Sequence, residues 1–109
     1  MPTFDQFREF DIRVGTIVSA RAHPTSRKPS FQLEVHFGPV GLRQSSAQLT
    51  KRYRPEQLVG RQVVAVLNFP PRRVGDFTSD VLVLGAMVGD DDVLLLAPDG
   101  PTPDGTRIA

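Results

Sequence analysis

Apolar and polar residues alternate most cleanly where Phe31, Leu33, Val35 and Phe37 are interleaved with Gln32, Glu34 and His36. A period of two predicts a β-strand with one buried face. Residues 12–18 predict another strand, in which the interior Gly15 predicts a bulge or a sharp coil of the sheet. Residues 42–45, 63–69, 81–84 and 93–97 read as further short strands. Pro70 and Pro71 end the fourth, because neither can donate to a ladder, and Gly89 with Asp90, Asp91 and Asp92 reads as a hairpin tip. Helical spacing is scarce. Phe4, Phe7 and Phe10 fall on one stripe behind a Thr3/Gln6 capping box. Ser46 is placed to cap a short helix over residues 47–53. Pro55 to Gly60 has proline at the start and glycine at the stop of a single helical turn. Several short strands with Gly/Pro punctuation and a little helix between the third and fourth predict an all-β fold. It is a five-stranded OB-type barrel with a short N-terminal helix, a short helix between strands 3 and 4, and extra C-terminal strands.

A chain of 109 residues is expected to form one domain, residues 1–109. The absence of cysteine excludes a disulfide framework, a thiol nucleophile and thiolate metal ligands. Early charges at Asp5, Arg8, Glu9, Asp11 and Arg13 argue against a signal peptide, and no apolar run is long enough to span a bilayer. The expected setting is the cytoplasm, without membrane insertion.

Charge changes the picture more than composition does. The 13 basic and 12 acidic residues nearly cancel, yet they are sorted along the chain. Residues 43–73 hold Arg43, Lys51, Arg52, Arg54, Arg61, Arg72 and Arg73 against the single acid Glu56, whereas residues 76–109 hold seven aspartates and only Arg107. A locally basic surface on a neutral protein is either a site for an acidic partner, nucleic acid first, or a solvated face. Tyr53 within Lys51-Arg52-Tyr53-Arg54 offers a ring to stack on a base; its plain structural role is to pack under Pro55 or Leu58 with its hydroxyl on a backbone group. Gln44, Ser45, Ser46 and Gln48 form a polar run suited to hydrogen-bonding edges or to a solvated strand. In Asn68-Phe69-Pro70-Pro71-Arg72-Arg73 the prolines stiffen a loop carrying two arginines beside an apolar ring, which suits a peptide as well as RNA. Local signatures of catalysis are missing: His23 and His36 lie on different elements, the aspartate triplet lacks the spacing of a calcium loop, and no nucleophile elbow or phosphate loop occurs. The expectation is a binding protein that is not an enzyme, with no catalytic residue, no metal and no cofactor.

Asp11-Ile12-Arg13-Val14-Gly15-Thr16-Ile17, His23-Pro24, Arg43-Gln44, Tyr53-Arg54-Pro55-Glu56-Gln57-Leu58-Val59-Gly60 and Asn68-Phe69-Pro70-Pro71 resemble, in order, the stand-alone tRNA-binding domain family, an OB-fold module. The likeness runs from about Asp11 to Gly85. Gln44-Ser45-Ser46-Ala47-Gln48, Thr50-Lys51-Arg52-Tyr53, Arg72-Arg73 and Val81-Leu82-Val83-Leu84-Gly85 resemble a secretion-chaperone branch of that family. The resemblance implies a homodimer that binds unfolded or preprotein polypeptides and works with the bacterial export machinery, including its motor, and it leaves tRNA as a further ligand. It implies dimerisation through the N-terminal helix (residues 1–10, with Phe4, Phe7 and Phe10) and the C-terminal extension (residues 87–109). Departures stand at Ser26-Arg27-Lys28-Pro29, at Ser45-Ser46-Ala47-Gln48 and at Ser79-Asp80-Val81-Leu82, where the family's Ser is kept but its Gly-Met is not. They weigh toward the chaperone branch. The candidate peptide- or RNA-binding residues are therefore Arg43, Gln44, Lys51, Arg52, Tyr53, Arg54, Asn68, Phe69, Arg72, Arg73 and Ser79.

Overall fold

The computed structural model describes residues 1–23 and 28–109. Two sequence landmarks, the His-Pro step and the Ser26–Arg27 departure, extend into residues outside this description. The chain runs α1 (Phe4–Arg8), β1 (Ile12–Ala22), β2 (Phe31–His36), a 3-10 turn (Gly38–Val40), β3 (Leu42–Ala47), α2 (Pro55–Leu58), β4 (Gln62–Val66), β5 (Arg72–Val74), β6 (Phe77–Ser79), β7 (Leu82–Val83), β8 (Gly85–Gly89) and β9 (Asp92–Leu95). Five strands pair antiparallel in the order β3-β2-β1-β4-β7 and curl into a nearly closed barrel, the OB-fold expected from the strand pattern. Two hairpins, β5–β6 and β8–β9, stand on it.

Strand β1 is shared between two partners. Its first half, Ile12 to Thr16, pairs with β4, and its second, from Thr16 to Ala22, pairs with β2. The strand must coil sharply at the changeover, and Phe37, fully buried, fills the concave side. A Cβ on Gly15 would lie 2.6 Å from two carbons of the Phe37 ring and 2.8 Å from Val35, so the position has room only for hydrogen. The predicted irregularity is present but displaced: Gly15 pairs in register with Val63, and the bulge falls at Val18, between Ile17 and Ser19. Inward-facing Ile17, Leu33, Val35, Leu58 and Val63 are fully buried and make up the core with Phe31, Leu49, Tyr53 and Val81.

The C-terminal tail closes the free side of the first half of β1. Val14 N–H donates to Thr106 O (2.9 Å), Gly105 N–H to Val14 O (2.7 Å) and Ile108 N–H to Ile12 O (2.9 Å). Asp104 Oδ1 accepts from Thr16 Oγ1 (2.7 Å) and Gln62 Nε2 (3.2 Å).

Several expected elements are corrected. The helix over residues 47–53 is a strand end and one turn. Ala47 pairs with Phe31, and the residue before Pro55, Arg54, is held extended at φ −107°, ψ 152°. What remains is a single turn closed by Tyr53 N–H on Leu49 O (3.1 Å). The helix between strands 3 and 4 is α2 alone, begun at Pro55 and followed by Gly60 at φ 91°. The fourth strand stops at Val66. The arginines after the two prolines lie on the strand β5 of a hairpin that the sequence pattern did not predict, not on an irregular loop. The α1 capping box is present, with Thr3 Oγ1 accepting from Gln6 N–H (3.2 Å) and Gln6 Oε1 from Thr3 N–H (2.8 Å), but α1 buries none of its residues in this chain.

Gly15→Ala is expected to destabilise the fold by about 1–3 kcal/mol through overpacking against Phe37, measured by urea denaturation. Adding Phe37→Leu to it should recover part of the loss.

Candidate functional site

The barrel closes between β3 and the segment that follows β6, and side chains complete the join. Asp80 and Val81 N–H both donate to Gln44 O (2.8 and 3.2 Å). In return, Gln44 N–H donates to Asp80 Oδ2 (3.3 Å) and Ser46 N–H to the buried Ser79 Oγ (3.0 Å). Gln44 and Ser79 thus hold the seam shut. A cleft of about 220 Å³ opens along it, lined by Ser46, Phe69, Pro70, Arg72, Ser79, Asp80, Val81 and Leu82. Its floor is apolar, and Arg72 supplies one cation. Arg73 is the next residue of β5 and projects to the opposite face of the hairpin, so the two arginines do not act as a pair. In register, Arg72 lies opposite Ser79 and Arg73 opposite Thr78.

Phe69, half exposed, makes an edge-to-face contact with Phe10 (centroids 5.9 Å apart, planes at 79°). Asn68 fixes that junction: its Oδ1 accepts from Asp11 N–H (2.9 Å) and its Nδ2 donates to Glu9 O (2.7 Å). Phe10 also lines a second cleft, of about 500 Å³, with Phe4, Phe7, Arg8, Arg107, Ile108 and Ala109. Apolar surface is therefore continuous from the seam to α1.

A third, more polar cleft of about 340 Å³ lies on the outer face of β1, β2 and β3, lined by Ser19, Arg21, Gln32, Glu34 and Gln44 with Phe77 at its edge. Ser19 Oγ donates to Glu34 (2.7 Å) and Arg21 Nε to Gln32 (2.8 Å). In an OB-fold this face, together with the loops after strands 1 and 4, takes oligonucleotides. Here β5–β6 is the loop after the fourth barrel strand. His23, buried, packs edge-to-face on Phe77 (5.5 Å) and lies 3.8 Å from Asp76, tying the start of the other loop to this hairpin. Sequence patterning missed Arg21, Gln32, Glu34 and Phe77. For Gln32 and Glu34 the signal was the polar phase of the β2 alternation; Arg21 lies beyond the strand read over residues 12–18, and Phe77 sits in a three-residue strand.

The remaining basic residues lie elsewhere. Arg43 pairs with Val35 and so belongs to the inward row of β3, on the side opposite Gln44. Arg52 makes a bidentate pair with Asp92 (Nε–Oδ1 and Nη2–Oδ2, both 2.9 Å), and Lys51 Nζ donates to Asp90 O (3.2 Å). Tyr53 is buried to 9 % exposure. Its hydroxyl accepts from Leu95 N–H (3.1 Å) and the Arg61 guanidinium lies over its ring at 5.1 Å, so no ring face is left for a base. The backbone-partnered role is the one Tyr53 plays. Arg54 is exposed at the start of α2, with its N–H on Gln57 Oε1 (2.8 Å). None of Arg43, Lys51, Arg52, Tyr53 or Arg54 lines the Phe69 cleft. The basic stretch is contiguous in sequence but divided in space. Among the described residues, no group of three or more His, Asp or Glu is placed to hold a metal ion, and no helix is long and apolar enough to cross a membrane.

This geometry defines a class, a small OB barrel with a clefted seam and a polar outer face, and comparison with known proteins places it. Residues 12–107 match the family model described as "Putative tRNA binding domain", and the chain belongs to that family. It is similar over its whole length to the solved chaperone CsaA of Bacillus anthracis str. Ames (50 % identical, TM-score 0.96, covering 100 % of this chain and 99 % of that one). It is likewise similar to the CsaA chaperone protein of Picrophilus torridus (43 %, TM-score 0.92, all of both chains). Methionine--tRNA ligase of Methanococcoides burtonii is 41 % identical over 97 % of this chain, but the chain spans only 15 % of that enzyme's length. The match is to the appended binding domain, not to the catalytic part.

Ser79→Ala removes the acceptor of the Ser46 N–H at the seam and is expected to cost about 1–3 kcal/mol, read as a lowered urea midpoint with an unchanged folded circular dichroism spectrum. The hydrogen bonds from Arg52 hold the Asp92 carboxyl below the ordinary aspartate value, with Lys51 adding to the effect. A carboxyl with a lowered pKa contributes stability above the ordinary carboxylate range and loses it as pH falls through its depressed value. In a carboxyl NMR titration Asp92 should therefore show a low midpoint that moves upward in Arg52→Ala and at high salt.

Proposed function

We propose that this chain is a CsaA-like chaperone: a homodimer that binds unfolded or exported polypeptides without catalysis and hands them to the export machinery in the cytoplasm. The observation that carries the reading is the seam cleft, where Phe69, Pro70, Val81 and Leu82 form an apolar floor beside a single cation, Arg72. With the Asp80 carboxylate also in the lining, the cleft carries balanced charge. That suits an extended, largely apolar peptide better than a phosphate backbone, which rewards rows of cations. Full-length similarity to two CsaA chaperones supports it. The dimer is supported by the N-terminal segment, where Phe4 and Phe7 of α1 and the following Phe10 are exposed, and by the exposed Met87, Val88, Leu94 and Leu96 of the C-terminal extension. Apolar surface of this extent on a small domain calls for a partner. In the chain's own terms the clefts at α1 and at the seam meet through the Phe10–Phe69 contact, so a partner seated on α1 would border the peptide groove.

A tRNA-binding reading is favoured by a separate observation, the polar outer face of β1, β2 and β3 flanked by the β5–β6 hairpin, and by the family itself.

Titration with an unfolded preprotein segment and with tRNA, at low and high salt, separates the two. RNA affinity should fall with a log–log slope near −0.7 per phosphate neutralised on a single strand, while peptide affinity should hold. Tight tRNA binding with no peptide binding at either salt would overturn the chaperone reading. Arg72→Ala should weaken peptide binding by about tenfold, the weight of one charge-assisted hydrogen bond of ~1.5 kcal/mol. Arg73→Ala should change it little, and both variants should stay folded.

A further inference from the structure

The turn Lys51–Tyr53 and the β8–β9 hairpin are joined by three contacts in step: Lys51 Nζ on Asp90 O, the Arg52 guanidinium on both Asp92 oxygens, and the Tyr53 hydroxyl on Leu95 N–H. The hairpin is anchored from beneath, since Val93 and Leu95 pack against the barrel core. Its tip therefore rests at a fixed place over the turn, with Asp91 held at φ 55° in the reversal. Three aspartates, Asp90, Asp91 and Asp92, stand against two cations. Two of the three cations of the most basic run, Lys51 and Arg52, thereby face the most acidic one, while Arg54 stays exposed. By contrast, no ion pair among the described residues engages Arg72 or Arg73.

We propose that the acidic tip of β8–β9, through Asp92, is a specificity determinant that shields Lys51 and Arg52 from the phosphate backbone of RNA and so turns this basic barrel away from nucleic acid. The shield acts by charge and by geometry. The Asp92 carboxylate occupies the Nε–Nη2 edge of the Arg52 guanidinium, one of the two edges that can grip a phosphate in bidentate fashion, and the excess negative charge of the tip repels an approaching polyanion. A single exposed ion pair is a weak lock; here the Tyr53–Leu95 bond and the buried side of β9 hold the carboxylate in place, so the cost of moving it is shared with the packing of the hairpin. The peptide cleft lies at the seam and does not include these residues. The shield therefore discriminates against RNA without touching the polypeptide site, and it holds whether or not polypeptides are the ligand.

The test is the binding of a fluorescently labelled oligouridylate to the full chain and to three variants at several salt concentrations. Asp92→Asn frees Arg52, and one additional phosphate contact at a slope of about −0.7 corresponds to roughly fivefold tighter binding at ~0.1 M salt, with the slope steeper by about 0.7. Asp99→Asn, an exposed aspartate outside the tip, removes the same net charge and should give no comparable gain. Asp92→Asn combined with Arg52→Ala should return to the affinity of the unaltered protein. A gain that persists without Arg52, a gain equal to that of Asp99→Asn, or no gain in Asp92→Asn, including no measurable RNA binding by either protein, overturns the proposal.

Discussion

The architecture depends on one close approach, that of the Phe37 ring to the backbone of Gly15. Strand β1 must serve β4 with one half and β2 with the other, and a barrel of five strands closes only if that strand coils tightly between them. Coiling brings the end of β2 over the middle of β1, and a ring of that size is accommodated only where β1 carries no side chain. The tail repeats the device on the outer side: Gly105, at φ 90°, passes so close to Phe37 O that a Cβ would stand 2.6 Å from it. Phe37 is thus clamped from two sides by glycines 90 positions apart in sequence, which ties the tail to the barrel's tightest bend.

Closure at the other edge is less complete, and function follows from that. Where β3 meets the segment after β6, the Gln44 carbonyl accepts backbone bonds from Asp80 and Val81, and the carboxylate of Asp80 and the hydroxyl of Ser79 finish the join. A seam closed by side chains is wider than one closed by a strand, and the space left over is the apolar cleft bordered by Phe69 and Arg72. Phe69 then passes the apolar surface on to Phe10 and α1. A helix of five residues cannot stand by propensity, so its capping box and aromatic stripe make physical sense as part of a larger contact surface.

Strand existence and fold class were legible because burial of one face imposes a period of two, and residues 31–37 show it without interruption. The helical turn begun at Pro55 and the acidic hairpin tip were legible because proline, glycine and aspartate act locally, whereas the fourth strand stops at Val66, before the prolines expected to end it. Residues 47–53 were misread as helix because the competing claim on Ala47 comes from Phe31, which local pattern does not reveal. The β5–β6 hairpin was missed because strands of three residues carry too little alternation to register. Candidate site residues fared unevenly for a similar reason. Phe69, Arg72 and Ser79 do meet at one cleft, and Gln44 bonds the seam beside it while lining the polar outer cleft. Arg43 is drawn elsewhere by the register of β3, Lys51, Arg52 and Tyr53 by the C-terminal hairpin, and Arg54 by its place at the start of α2.

By itself, the order of amino acids determined the barrel, the capped aromatic helix, the family signature and the segregation of basic from acidic residues, since each is written in neighbours a few positions apart. Only the tertiary structure decided what the charges do. It splits the basic run into an arginine at the cleft and a pair of cations covered by Asp90 and Asp92, because an electrostatic contact depends on distance through space, and the residues that neutralise Lys51 and Arg52 lie about forty positions further along the chain.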